Sequence, residues 1–133
     1  MNRRVKTRTV QRAESRELLR KAEEFFAACE DALAHERPTA AGLAAIHAGI
    51  SASDAVAAAR LGKTSAAPEH SASVMLLREA VADVPERTVR HLVGLLNAKH
   101  VVAYEARMLS DAEARRLVDA ARRFLAWASD VVR

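Results

Sequence analysis

Residues Thr39–Leu61 read TAAGLAAIHAGISASDAVAAARL, and this stretch decides the fold. It is almost wholly alanine and aliphatic, carries Gly42 and Gly49, and has no charge before Asp54. At ~3.6 residues per turn, Leu43, Ile46, Ile50, Ala57 and Leu61 form a wide apolar stripe. The small residues elsewhere allow backbones to approach closely, so a helix surrounded by others is expected. Each glycine costs roughly 1 kcal/mol against alanine in a helix interior, which tight packing can offset. His47, Ser51 and Asp54 share one face of this helix by spacing. Buried polar groups need partners, so another helix is expected to meet them.

Working outward, the chain has 133 residues, enough for one domain that buries roughly two-thirds of the surface its unfolded form exposes. Hydrophobic residues are 50% of the whole but aromatics only 4%, which implies a core of alanine and aliphatic side chains. So few rings argue against folds that bind single-stranded nucleic acid by stacking bases. The single cysteine, Cys29, excludes an intrachain disulfide and fits a reducing, cytoplasmic setting. No apolar run approaches the ~20 residues that span a bilayer, and no apolar segment follows the basic start, so neither a membrane partner nor a secretory signal is expected.

The net charge of +4 is unevenly spread. Arg3, Arg4, Lys6, Arg8 and Arg12 precede the first acid, Glu14, and the remaining basic residues nearly balance the acidic ones. Residues 1–12 are therefore read as a basic tail, and residues 13–133 as the domain. The tail is either an arm that finds phosphates or a disordered, solubilising end.

In chain order, a first helix is expected from about Arg12–Ser15 to Glu36, its inner side formed by Leu18, Ala22, Phe25, Cys29 and Ala32. Cys29 falls on that side and reads as an unreactive core thiol. Pro38 ends this helix and suits the start of the second. Gly62 is a natural left-handed cap for the second helix. Ala57–Thr64, AAARLGKT, imitates a phosphate loop, but such a loop needs a strand before it and a helix after it. A short third helix is expected over about 68–81. Asp83, with Pro85 and Glu86, should start a fourth helix that runs to about Met108. Ser110-Asp-Ala-Glu113 is a capping box opening the fifth, whose inner stripe is Ala114, Leu117, Ala121, Phe124, Ala128 and Val131. No strand is expected. The fold class is all-α: an up-and-down bundle of four long helices plus one short helix.

The fourth helix places Lys99 on the inward stripe set by Val89, Leu92, Leu96 and Ala103. His100 and Tyr104 follow at helical spacing. On one reading Lys99 snorkels to the edge while His100 and Tyr104 make ordinary core hydrogen bonds. On the other, His47, Ser51, Asp54, Lys99, His100 and Tyr104 form one polar site bridging the second and fourth helices. Asp54 should then lie within reach of Lys99, His100 or Tyr104, in one chain or across a dimer. The histidines at 35, 47, 70, 91 and 100 show no metal-ligand spacing, and no metal or cofactor is expected.

ISASDAVAAARLGKTSAAPEH (50–70) followed by VMLLREA (74–80) resembles the second and third helices of HEPN domains. LLNAKHVVAYEARMLSDAEARRLVDAARRFL (95–125) is similar to the family's fourth and fifth helices. The likeness runs from about Ser15 to Val132. It implies an all-α bundle that dimerises, in a family that often cleaves or binds RNA in toxin–antitoxin, defence or RNA-processing systems. It also implies a nucleotidyltransferase or antitoxin as a partner. The family's nuclease signature is an arginine followed a few residues later by histidine. Here Lys99 stands where the arginine is expected, Ala103 replaces the acid before Tyr104, and no histidine follows at that spacing. The expectation is a homodimeric, non-catalytic or weakly catalytic component of an RNA- or nucleotide-related system. The alternatives are a pure dimerisation and interaction module, or an RNA nuclease with altered site residues.

Overall fold

The structure, a computed structural model, describes residues 6–66 and 70–133. The expected start of the third helix at Pro68 lies outside them, as do Arg3 and Arg4 of the basic tail. The element order is β1 (Thr7–Thr9), α1 (Glu14–Ala34), α2 (Pro38–Leu61), β2 (Lys63–Ser65), α3 (His70–Ala80), α4 (Glu86–Tyr104) and α5 (Asp111–Val132). This is the all-α bundle of four long helices and one short one, with a small ribbon added.

α2 is the centre. It packs on α1, α3, α4 and α5, whereas the backbones of α1 and α4 both lie against it without approaching each other. Its deepest residues are the small ones: Ala41, Ala45, Ala48, Ala52, Ala55 and Ala58, with Ile46 and Val56. Leu43, Ile50 and Leu61, placed on the inner stripe from spacing, are only partly buried. The alanine faces admit helices more closely than branched side chains would, so the larger residues are displaced to the open side. By length and composition α2 could cross a membrane, yet 67% of its most apolar window is buried inside the protein.

The glycines of α2 are contact points. A Cβ on Gly49 would stand 2.6 Å from Leu95 Cδ1 of α4, and one on Gly42 would collide with Leu109 Cδ1. Leu95 is fully buried and has little room to yield. Gly49→Val is therefore expected to lower stability by about 1–2 kcal/mol despite the better helix propensity of valine. Chemical denaturation checks this, and an unchanged midpoint would contradict it.

Two apolar clusters fill the interior. One joins Val56, Leu77, Val89, Leu92, Leu96 and Phe124; the other joins Cys29, Ile46, Leu95, Val118 and Ala121. Burial pushes the Cys29 thiol up to about 11, so it stays protonated and unreactive.

Four expectations about the chain path need correction. First, a strand is present: β1 pairs antiparallel with β2, Arg8 opposite Thr64. Residues 6–12 are thus part of the folded domain, extended by bonds from Val10 N–H to Gly62 O and Ala66 N–H to Lys6 O. Second, Asp83 does not cap α4. Pro85 occupies that position with no side-chain bond, and the Glu86 carboxylate instead pairs with Arg78 of α3 at 2.7 and 3.2 Å. Third, α4 stops at Tyr104, because Glu105 turns extended and carries Leu109 onto Gly42. Thr39 Oγ1 holds that turn by accepting the Leu109 N–H at 2.9 Å. Fourth, the α1–α2 turn is set before Pro38, by Glu36 at φ 59 with Arg37 N–H bonded to Ala32 O.

Other local signals lead where they point. The Ser110 hydroxyl accepts the Glu113 N–H, and the Glu113 carboxylate accepts the Ser110 N–H, closing the capping box. Arg107 and Ser110 together hold the Glu113 carboxyl down at about 2. The phosphate-loop imitation is inverted: a helix precedes Gly62 and a strand follows it, and Gly62 is the left-handed cap of α2 at φ 66.

Candidate functional site: the cleft between α1 and α4

Because α1 and α4 flank α2 without meeting, the open side of α2 becomes the floor of a cleft. The i, i+4, i+7 spacing of His47, Ser51 and Asp54 sets all three toward this side. Ser51 is buried, whereas His47 and Asp54 are partly buried. The apolar part of the floor is Leu43 and Ile50, also partly buried.

Each wall contributes a cation. From α1, Phe25 meets the His47 ring at 5.5 Å between centroids, and Lys21 Nζ lies 5.9 Å from the Phe25 centroid. From α4, the half-buried Lys99 acts on the same histidine through space. Burial lowers the His47 pKa first, and the charges of Lys99 and Lys21 lower it further. The imidazole is therefore kept neutral at pH 7.

Asp54 behaves oppositely to an ion-paired carboxylate. Burial pushes it up to about 6, against the opposing pull of Arg8 from β1 and Lys21 from α1. No hydrogen bond or ion pair joins Asp54 to Lys99, His100 or Tyr104 within the chain, among the described residues. The six residues expected as one site thus separate. His47, Ser51, Asp54 and Lys99 line the cleft, with Asp54 toward β1 and Lys99 on the α4 wall. His100 and Tyr104 leave it: both are exposed, Tyr104 at 74%, and their rings meet at 5.6 Å on the rim. Among the described residues, neither makes the core hydrogen bond that the alternative reading required.

The basic tail also divides. Arg12 is a structural cap, donating to Ala59 O at 2.9 Å and Arg60 O at 2.8 Å and so satisfying free carbonyls at the end of α2. It is not a loose phosphate-seeking arm. Arg8, by contrast, faces the cleft acid. Lys6 is exposed beside it.

Lys21 and Phe25 escape a reading based on polar faces alone, since Lys21 looks like a solvent position and Phe25 like core. Their signal is the i, i+4 spacing of a lysine and an aromatic ring at the edge of a stripe. Chemically, the cleft offers cations over a neutral imidazole, a buried hydroxyl and an incompletely ionised acid. That set can hold an anion. No group of three or more His, Cys, Asp or Glu that could hold a metal ion occurs among the described residues.

Comparison with known proteins gives two findings. The HEPN domain family matches residues 15–131. The crystal structure of TT1696 from Thermus thermophilus is similar in fold, with a TM-score of 0.73 at 22% identity, over 89% of this chain and 98% of that one. Against the curated proteins, the chain matches none.

Proposed function

The chain belongs to the HEPN family, and from that premise we propose that it is a homodimeric subunit that binds RNA or nucleotide phosphate without cleaving it. The binding face is the α1–α2–α4 cleft, and the setting is an RNA- or nucleotide-related system with a nucleotidyltransferase or antitoxin as partner. The observation that carries this reading is the convergence of Arg8, Lys21 and Lys99 on a cleft whose floor histidine is kept neutral by burial and by the two lysines. Such a concave basic surface focuses potential toward phosphate. The missing arginine–histidine spacing after Lys99 supports binding over cleavage. A second reading, a pure interaction module, is favoured by the exposure of Tyr104 and Met108, at 74% and 70%.

Titration of a labelled single-stranded RNA, followed by anisotropy at several salt concentrations, separates the two. Binding should weaken with salt, and Lys21→Met combined with Lys99→Met should keep the helical spectrum while lowering affinity by roughly tenfold or more. Recovery of intact RNA after long incubation is expected. Absence of binding would leave the interaction module, and cleavage abolished by changing His100 would make the protein a nuclease. Light scattering should give twice the monomer mass, and a monomer across the micromolar range would remove the dimer.

A further inference from the structure

On the far side of α4 from the cleft lies a second concavity, a groove of about 310 Å³ between α4 and α5. Its apolar lining comes from Ala98, Val101 and Val102 on α4, Leu109 on the connecting turn and Leu117 on α5. Gly94 forms one edge, exposed and with no atom within 4 Å of where a Cβ would stand. A glycine in a helix interior costs stability against alanine, and here nothing inside the chain requires it. The groove wall is therefore low at Gly94.

The rim carries one unpaired cation, Arg116, beside an Arg107–Glu113 pair whose partners both line the groove and bond at 2.9 and 3.0 Å, among the described residues. Further along the same seam, Arg123, Arg87 and Arg90 act together on His91, whose pKa burial has already lowered. The acid facing them, Asp119, is shared between Arg122 and Arg123. Arginines therefore outnumber carboxylates along the seam.

We propose that this seam docks the apolar face of an acidic amphipathic helix from a partner protein. Charge complementarity selects the occupant. A second copy of this chain would set arginine against arginine. RNA would satisfy the arginines but would cover an apolar floor on which none of the groove-lining residues is a ring for a base to stack on. A helix with aliphatic anchors at i, i+4 and i+7, flanked by glutamates, matches both the floor and the rim. The seam is separate from the cleft, so its occupant does not depend on whether the cleft binds RNA.

The test uses the full chain and two labelled synthetic helical peptides with identical leucine anchors, one flanked by glutamates and the other by lysines. The glutamate peptide should bind, with the lysine peptide weaker by roughly tenfold or more. Arg116→Glu, an exposed change that leaves the core untouched, should weaken the glutamate peptide by a similar factor and narrow the preference between the two. Gly94→Leu, which fills the groove edge, should weaken both peptides, while Lys99→Met should alter neither. No binding, equal affinity for the two peptides, or indifference to Arg116→Glu would each overturn the proposal. So would conversion of a dimer to a monomer by Arg116→Glu, which would make the seam a contact between copies.

Discussion

Phe124→Ala should destabilise the protein by about 3–5 kcal/mol, the largest effect expected of any single change. Phe124 is the largest of the fully buried side chains, and its cluster draws on α1, α2, α3, α4 and α5 together. Its neighbours Leu77, Leu92 and Leu96 are themselves buried in the same cluster, so they can fill only part of the space it would leave. The ring also meets Trp127 at 5.7 Å, so the substitution removes an aromatic pair as well. Urea denaturation of the two proteins side by side measures the difference. A loss under about 1 kcal/mol would mean that the bundle relaxes around the void and that its interior is loosely packed.

Asp54→Asn should act in the other direction, with a dependence on pH that identifies its cause. The folded-state pKa of Asp54 is raised from 3.8 to about 6 by burial. Folding therefore favours the protonated acid. The group imposes little cost below its unfolded value of 3.8, where both states are mostly protonated, and stability is lost as pH rises from there to the folded pKa. Above that pKa the wild type carries the full cost of the ionised form, up to about 3 kcal/mol for a shift of this size, whereas the amide carries none. Asp54→Asn is thus expected to stabilise by about 2 kcal/mol at pH 8 and by little at pH 4. The difference between the two proteins is the quantity to compare, because Glu113 and Glu86, whose pKa values are lowered, impose the opposite trend on both alike. An equal gain at both pH values, or a loss at pH 8, would contradict the origin assigned to the shift. If the cleft binds phosphate, the same substitution should also strengthen RNA binding above pH 6 by removing a negative charge.

The helices were legible because their signals are local. The alanine-rich run marks α2, Ser110 and Glu113 mark the start of α5, and Gly62 marks a left-handed cap. The β1–β2 ribbon was not legible, since its two triplets are short and far apart in sequence, and they meet only through long-range backbone pairing and the Arg12 cap on the end of α2. The end of α4 was likewise hidden, because Leu109 leaves the helix to fill the space above Gly42, a residue far away in the sequence.

With α2 unbroken from Pro38 to Leu61, spacing alone set His47, Ser51 and Asp54 on one face. It failed on pairing. The expectation that a buried acid must meet a buried cation overlooked a second solution: Asp54 lies between Arg8 and Lys21 without forming a close pair, and its raised pKa offsets part of the cost of burial. His100 and Tyr104 follow α4 beyond the cleft, since ~100° per residue turns them from its wall to the rim.

Central to all of this is the proposal that phosphate binds in the cleft between α1 and α4. Ultraviolet cross-linking of the full chain to single-stranded RNA, with the attached peptides sequenced, tests it most directly. Cross-links are expected at Phe25 and His47 on the walls and floor and at His100 and Tyr104 on the rim, and they should fade when Lys21 and Lys99 are both changed to glutamate. Cross-links confined to Arg87–Arg90 and Arg116–Trp127, on the opposite side of α4, would contradict it.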